Sequence, residues 1–311
     1  MSKNVAFIFP GQGSQSIGMG EDFYNSSDIA KEMIQKASDR IGVDFKEILF
    51  KENDLLGQTQ YTQPAILLVS CIALELFKEK STIKPSFVLG HSLGEFSALV
   101  AANAIDYLDA IELVHKRGLF MNEACDGIGA GMMALVGLDD ETVESMTKEQ
   151  RETGKKIWAA NYNLDGQIVV AGMKSDLESL VETFKNAGAK RAIVLDMSVA
   201  SHCELLNSAV EKLNPYLEKF ITDNFECSVI SNVTASGYNS KDQAIELLGK
   251  QLISPVKYKH SIKANSDVDF FIEFGNGAVL KGLNRKIVKS IPTLNVSDIK
   301  SLKDTLEKLD V

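Results

Sequence analysis

The stretch Ser86-Phe-Val-Leu-Gly-His-Ser-Leu-Gly-Glu95 decides how this chain folds. An apolar run suited to a buried strand enters Gly90-His91-Ser92-Leu93-Gly94, a G-x-S-x-G pattern, and an Ala-rich helical stretch from Glu95 to Ala104 follows. A strand-to-helix turn this tight needs glycines, because a residue without Cβ lets the backbone segments approach closely while the serine hydroxyl projects above the sheet. The following helix aims its N-terminal N–H groups and positive dipole end at that hydroxyl, and Glu95 in its first turn suits the same dipole. Ser92 is therefore a candidate nucleophile rather than an incidental turn serine.

Outward from this turn, the chain reads as an α/β protein. Val5 to Phe9 is a short apolar run stopped by Pro10-Gly11, as expected for a strand covered on both faces. Helical patterns fill roughly 27–41 and 63–79, and later strands fall near Cys227–Ser231 and Asp269–Glu273. The middle third has another rhythm: strand Met132–Leu138, helix Asp140–Arg151, strands Lys156–Asn161 and Gln167–Gly172, helix Ser175–Asn186, strand Arg191–Met197. That βαββαβ order is the split-βαβ pattern of a ferredoxin-like unit. The expectation is a discontinuous, hydrolase-like parallel-sheet domain, residues 1–127 and 198–311, carrying a ferredoxin-like insert at 128–197, with a ligand cleft between the two.

A formal net charge of −9 argues against general nucleic-acid binding, so any basic site is a local patch. The apolar run Ala65–Leu76 is interrupted by Glu75 and reads as too short to span a bilayer. The first ten residues move straight into a strand pattern without a signal-peptide layout. Cys71, Cys125, Cys203 and Cys227 show neither CxxC nor zinc spacing, so no metal site is expected and a reducing cytoplasm is the simplest setting. Without a secretion signal, Asn25-Ser-Ser27 and Asn232-Val-Thr234 read as coincidental matches to the glycosylation pattern. Gly11-Gln-Gly13 hints at a dinucleotide loop, but Ser16 stands where the third glycine belongs.

A serine nucleophile needs a base, usually histidine. Of the four histidines, His91 adjoins the serine and should point away from it, a structural place in the turn. His115 lies mid-helix beside Lys116 and Arg117, and His260 sits in the polar run Lys257–Ser261. His202 is expected to open a helix, Glu204–Leu217, with Leu205, Leu206 and Ala209 on its own face, so it points inward where a base would be needed. Arg117 lies in a helical pattern, Asp106–Ala124, among Leu113, Val114, Phe120 and Met121. A guanidinium on that apolar stripe wants a carboxylate, and either an internal acid or the substrate could bring it.

These residues resemble the bacterial malonyl-CoA:acyl carrier protein transacylases over essentially the whole chain. The matching segments are Phe9-Pro-Gly-Gln-Gly-Ser-Gln15, Thr62-Gln-Pro-Ala65, Gly90-His-Ser-Leu-Gly-Glu95, Arg117-Gly-Leu-Phe-Met121, Ser201-His-Cys203, Gln251-Leu-Ile-Ser-Pro-Val256 and Phe274-Gly-Asn-Gly277. The resemblance implies an acyltransferase without a permanently bound cofactor, taking malonyl-CoA as substrate and holo-acyl carrier protein as partner, and serving fatty acid synthesis. It implies that Ser92 is acylated, His202 is base and then acid, and Arg117 binds the malonyl carboxylate. The backbone N–H groups of Gln12 and Leu93 would form the oxyanion hole, and the main-chain carbonyl of Gln251 would orient His202. Gln63 and Asn161 would line the pocket. Leu93 after the serine accords with malonyl selectivity. Ala200 and Phe96 stand where relatives often carry proline and tyrosine. An acidic carrier needs a basic surface, for which Lys190 with Arg191, and Lys281, Arg285, Lys286 and Lys289, are the candidates. The alternative readings are a serine thioesterase or hydrolase, using the same turn and base, and a dinucleotide-binding module.

Overall fold

The structure is a computed structural model and describes residues 3–310. Among the described residues, ten strands form two sheets. The first contains β1 (Val5–Phe9), β2 (Phe87–Gly90), β7 (Ser228–Ile230), β8 (Gly237–Tyr238), β9 (Phe270–Phe274) and β10 (Thr293–Val296), and the second contains β3 (Ala130–Val136), β4 (Ile157–Leu164), β5 (Gln167–Met173) and β6 (Arg191–Val194). In the first sheet the order is β10-β9-β1-β2-β7-β8; five strands run parallel and β8 turns back against β7. Every residue of β1 is buried, as a central parallel strand covered on both faces requires.

In the second sheet all pairings are antiparallel, in the order β4-β5-β3-β6. Helices Asp140–Glu152 and Lys174–Asn186 complete the βαββαβ sequence, and their buried Val143, Leu177, Leu180 and Phe184 join one small core with Met133, Ile157 and Val170. The main core lies around the first sheet. Val256, in neither sheet, links the two: it exchanges backbone hydrogen bonds with Ala160 and Tyr162 of β4 and packs with Ala6, Ile8 and Leu89 of the first sheet.

Several boundaries shift from expectation. The strand before the serine runs 87–90 rather than 86–89, the helix after it ends at Ala101, and the last strand of the insert stops at Val194 rather than Met197. His202 does not open a helix: a 3-10 turn, Glu204–Leu206, intervenes before helix Asn207–Phe220, and His202 itself has φ 62°. Helix Thr59–Lys78 outruns the apolar stretch read from the sequence and is long and apolar enough to cross a membrane, but 83% of its most apolar window is buried inside the protein. It is a core helix.

One carboxylate explains an otherwise irregular helix start. Helix Val279–Ile287 has no side-chain cap at Ala278, and Glu273 of β9 accepts instead from the N–H groups of Leu280 and Lys281, both at 2.9 Å. Glu95 plays a different part, at the centre of the site below.

Candidate active site

Gln12, Ser92 and Asn232 follow the carboxyl ends of β1, β2 and β7, neighbouring parallel strands, which is where open α/β sheets place their ligands. The turn at Ser92 is as tight as the glycines suggest. A Cβ on Gly94 would lie 2.1 Å from the Phe9 carbonyl oxygen, and one on Gly90 would lie 1.9 Å from the backbone of Gly94. Ser92 has φ 52°, a left-handed conformation that a β-carbon disfavours. Asn232 holds it there: its Oδ1 accepts from Ser92 N at 2.6 Å while its Nδ2 donates to Gly90 O at 2.7 Å.

Ser92 Oγ lies 2.8 Å from His202 Nε2, and His202 Nδ1 lies 2.7 Å from the main-chain carbonyl of Gln251. A carbonyl can only accept, so the ring proton is assigned to Nδ1 and Nε2 is left as the acceptor for the serine proton. Burial, aided by the Arg117 cation, pushes His202 down to about 3. At neutral pH it is a neutral imidazole whose unprotonated Nε2 faces the serine.

Arg117 is 1% exposed. Its Nη1 donates to Gln63 Oε1 at 2.8 Å, and Nη2 to Ser92 Oγ at 3.2 Å and Gln251 Oε1 at 3.1 Å. Its Nε has no partner, and among the described residues no carboxylate pairs with it directly. Burial pulls its pKa down to about 10, opposed by the nearby Glu95 charge, so the group remains cationic at neutral pH. A buried guanidinium held only by neutral oxygens is prepared for an external anion.

The helix carrying it, Tyr107–Cys125, crosses helix Thr59–Lys78 closely at Gly118, where a Cβ would lie 2.6 Å from Gln60 Cα. Pro64 denies Gln60 O its helical N–H, and His115 Nδ1 binds that carbonyl instead at 2.8 Å. His115 is thus a helix-crossing residue.

The N–H groups of Gln12 and Leu93 bond to no other described residue, and Leu93 stands at the N-cap of helix Gly94–Ala101. A cleft of about 690 Å³ opens beside Gln12, bounded by Thr59, Asn122, Lys174 and Val199. Its walls do not include Ser92, His202 or Arg117, so the cleft adjoins the hydrogen-bonded cluster rather than containing it.

Asn161, on β4, is buried with its Oδ1 unpartnered, and makes no hydrogen bond to Ser92, His202 or Arg117. The nearby Asn163 is the residue that ties β4 to the turn, its Oδ1 lying 2.8 Å from His91 Nε2. Lys190, Arg191, Lys281, Arg285, Lys286 and Lys289 are all exposed. Sequence reasoning missed Asn232, Tyr238 and Asn163, and gave Glu95 only a dipole role. The readable signal was position: Asn232 follows a strand in the same way as Ser92 and Gln12.

Fold and site together define an acyl transferase. The family model described as an acyl transferase domain matches residues 6–303. The chain is 41% identical to the malonyl CoA-acyl carrier protein transacylase of Bacillus subtilis (strain 168), over 99% of this chain and 98% of that one. Among solved structures, the malonyl-CoA:acyl carrier protein transacylase of Helicobacter pylori aligns with a TM-score of 0.95 at 45% identity, covering 99% of both chains. A type II PKS acyl-carrier protein in complex with its malonyl-transacylase offers a further match, with a TM-score of 0.94, 36% identity, and coverage of 98% of this chain and 99% of that one. The chain belongs to the malonyl CoA-acyl carrier protein transacylase family.

Proposed function

We propose that this enzyme transfers a malonyl group from malonyl-CoA to the phosphopantetheine thiol of holo-acyl carrier protein, through a malonyl ester on Ser92, supplying fatty acid elongation in the cytoplasm. The observation that carries the residue roles is the placement of one hydroxyl, Ser92 Oγ, between a neutral histidine at 2.8 Å and a buried arginine at 3.2 Å.

The substrate carboxylate binds Arg117, drawn by the guanidinium that no described acid neutralises directly. His202 Nε2 takes the serine proton as Oγ attacks the thioester carbonyl. The Nδ1–H bond to Gln251 O keeps the ring in the required tautomer as it becomes cationic, the part an aspartate plays in many hydrolases. Negative charge on the former carbonyl oxygen is met by the free N–H groups of Gln12 and Leu93; one such donor contributes about 2.7–4 kcal/mol to lowering the barrier. The C–S bond then breaks, and the CoA sulfur leaves with the proton from His202. The carrier thiol attacks the ester by the same steps in reverse, giving ping-pong kinetics. Gln63 fixes the Arg117 fork, and the pocket role given to Asn161 is supported only by a buried amide oxygen that no described residue claims.

Intact-mass measurement after exposure to malonyl-CoA tests this reading. The wild-type protein should gain one malonyl group and Ser92→Ala none. Release of that group chiefly to water, with carrier thiol present, would favour a thioesterase instead.

A further inference from the structure

Glu95 is 0% exposed, and all three of its hydrogen-bond partners donate to it. Its Oε2 accepts from Gln251 Nε2 at 2.8 Å and from Asn232 N at 3.0 Å, and its Oε1 from Tyr238 OH at 3.0 Å. Two of those partners hold the reacting groups. Asn232 clamps both ends of the strained turn, at Gly90 O and Ser92 N. Gln251 donates from Nε2 to Ser92 O at 3.0 Å, accepts from Arg117 at Oε1, and accepts from His202 at its main-chain carbonyl.

The carboxamide of Gln251 can face only one way while Glu95 is a carboxylate. Its NH2 faces two acceptors, Glu95 and Ser92 O, and its oxygen faces the Arg117 donor; turning it over would set oxygen against oxygen on one side and donor against cation on the other. We infer that Glu95 is a positioning residue for the transfer reaction, holding Ser92, His202 and Arg117 in register through Gln251 and Asn232. It also answers the Arg117 charge across one intervening amide, leaving the guanidinium free of a direct acid partner. This rests on the roles proposed above for those three residues.

Glu95→Gln keeps the shape and removes the constraint, since a second carboxamide can offer Gln251 either a donor or an acceptor. The guanidinium keeps its charge, so donor binding should survive while alignment is lost. The acylation rate per labelled site should fall about 10- to 100-fold, a penalty typical of small misplacements, with KM for malonyl-CoA rising less than about threefold. Rapid-quench labelling with malonyl-CoA, beside active-site titration, separates rate from the fraction of competent protein. A wild-type rate per competent site, with fewer such sites, would make Glu95 merely structural and overturn the inference. Should Glu95→Gln not fold, Tyr238→Phe removes one donor without touching the reacting groups; a smaller rate loss at constant KM supports the inference, and an unchanged rate overturns it. Wild-type protein in the same assay reports independently on the acyl-serine itself, because failure of that protein to label would sink the mechanism rather than the part given to Glu95.

Discussion

Arg117 Nη2 donates to Ser92 Oγ, and the same oxygen faces His202 Nε2. A guanidinium has no acceptor, so Oγ spends a lone pair on Arg117 and directs its own proton to the imidazole. With the roles proposed for these residues, substrate recognition and nucleophile activation would meet on one atom. A carboxylate arriving on Arg117 competes for the donor now resting on the serine, which would free that lone pair for attack as the acyl group is seated.

Arg117→Ala should remove malonyl selectivity. A charge-assisted bond to a carboxylate contributes about 1.5–3 kcal/mol, so kcat/KM for malonyl-CoA should fall roughly 10- to 100-fold, while acetyl-CoA, lacking the carboxylate, is spared most of that loss. Arg117→Lys should recover little, because a point charge cannot reproduce the fork held by Gln63 and Gln251. Steady-state kinetics with both donors decide the matter; equal losses for malonyl and acetyl would refute the recognition role.

The pH dependence should not carry an ordinary histidine limb. His202 is pushed to about 3 by burial and by Arg117, with His91 a further neighbour that burial also pushes down. Glu95 moves the other way, to about 7, because burial outweighs Gln251, Asn232, Tyr238 and Arg117. In the Glu95→Gln background, acylation should therefore stay level from about pH 8 to about pH 5, where a solvated histidine would already be mostly protonated. A surviving limb near the ordinary histidine value of 6.5 would contradict the burial of the base. On stability the signs oppose: folded His202 binds a proton less readily than the unfolded chain, so its contribution is lost as pH falls from 6.5 towards 3. Folded Glu95 binds one more readily, so its contribution is full below 4.5 and lost as pH rises through about 7.

Gly118→Ala should loosen the arginine from behind. The added Cβ would meet Gln60 Cα at 2.6 Å and Thr59 O at 2.7 Å, both backbone atoms that cannot turn aside. Separating the two helices should cost about 1–3 kcal/mol of stability and move Arg117 away from Gln63. Denaturant titration and malonyl-CoA kinetics should both register it. An unchanged unfolding midpoint would show that the crossing has slack.

The parts of this enzyme legible in the sequence are those written locally. Val5–Phe9 reads as a covered strand because no polar residue interrupts it, Arg117 betrays its burial through Leu113, Val114, Phe120 and Met121, and the glycines flanking Ser92 announce a close approach. The inward direction of His202 is legible, but its reason differs: it comes from a left-handed residue ahead of a 3-10 turn, not from a helix face. Asn232 and Tyr238 were illegible because their function is set by long-range pairing; each meets Glu95 across more than 130 residues of chain. The Pro64–His115 exchange was hidden for the same reason. A freed carbonyl on one helix says nothing about which side chain on another will claim it.

The carrier docking surface can be separated from the chemistry, because the proposed reaction has two halves. Arg285 and Lys286 end a helix whose start is tied by Glu273 to β9, while Lys190 and Arg191 lead into β6 at the edge of the second sheet. Charge reversal in either pair should leave the folded core alone, since all four side chains are exposed. Acylation of Ser92 by malonyl-CoA needs no carrier, so it should proceed nearly as in the wild type when the reversed pair serves docking alone. The second half should then suffer through slower encounter with an acidic partner, raising KM for holo-carrier about tenfold at low salt and less at high salt, where screening already weakens the attraction. Comparing the two double variants, Lys190→Glu with Arg191→Glu and Arg285→Glu with Lys286→Glu, assigns the surface to whichever pair shows that salt-dependent loss. If neither does, the carrier is not recognised through these basic clusters, and its approach to the acyl-serine is governed by shape and by the thiol-bearing arm.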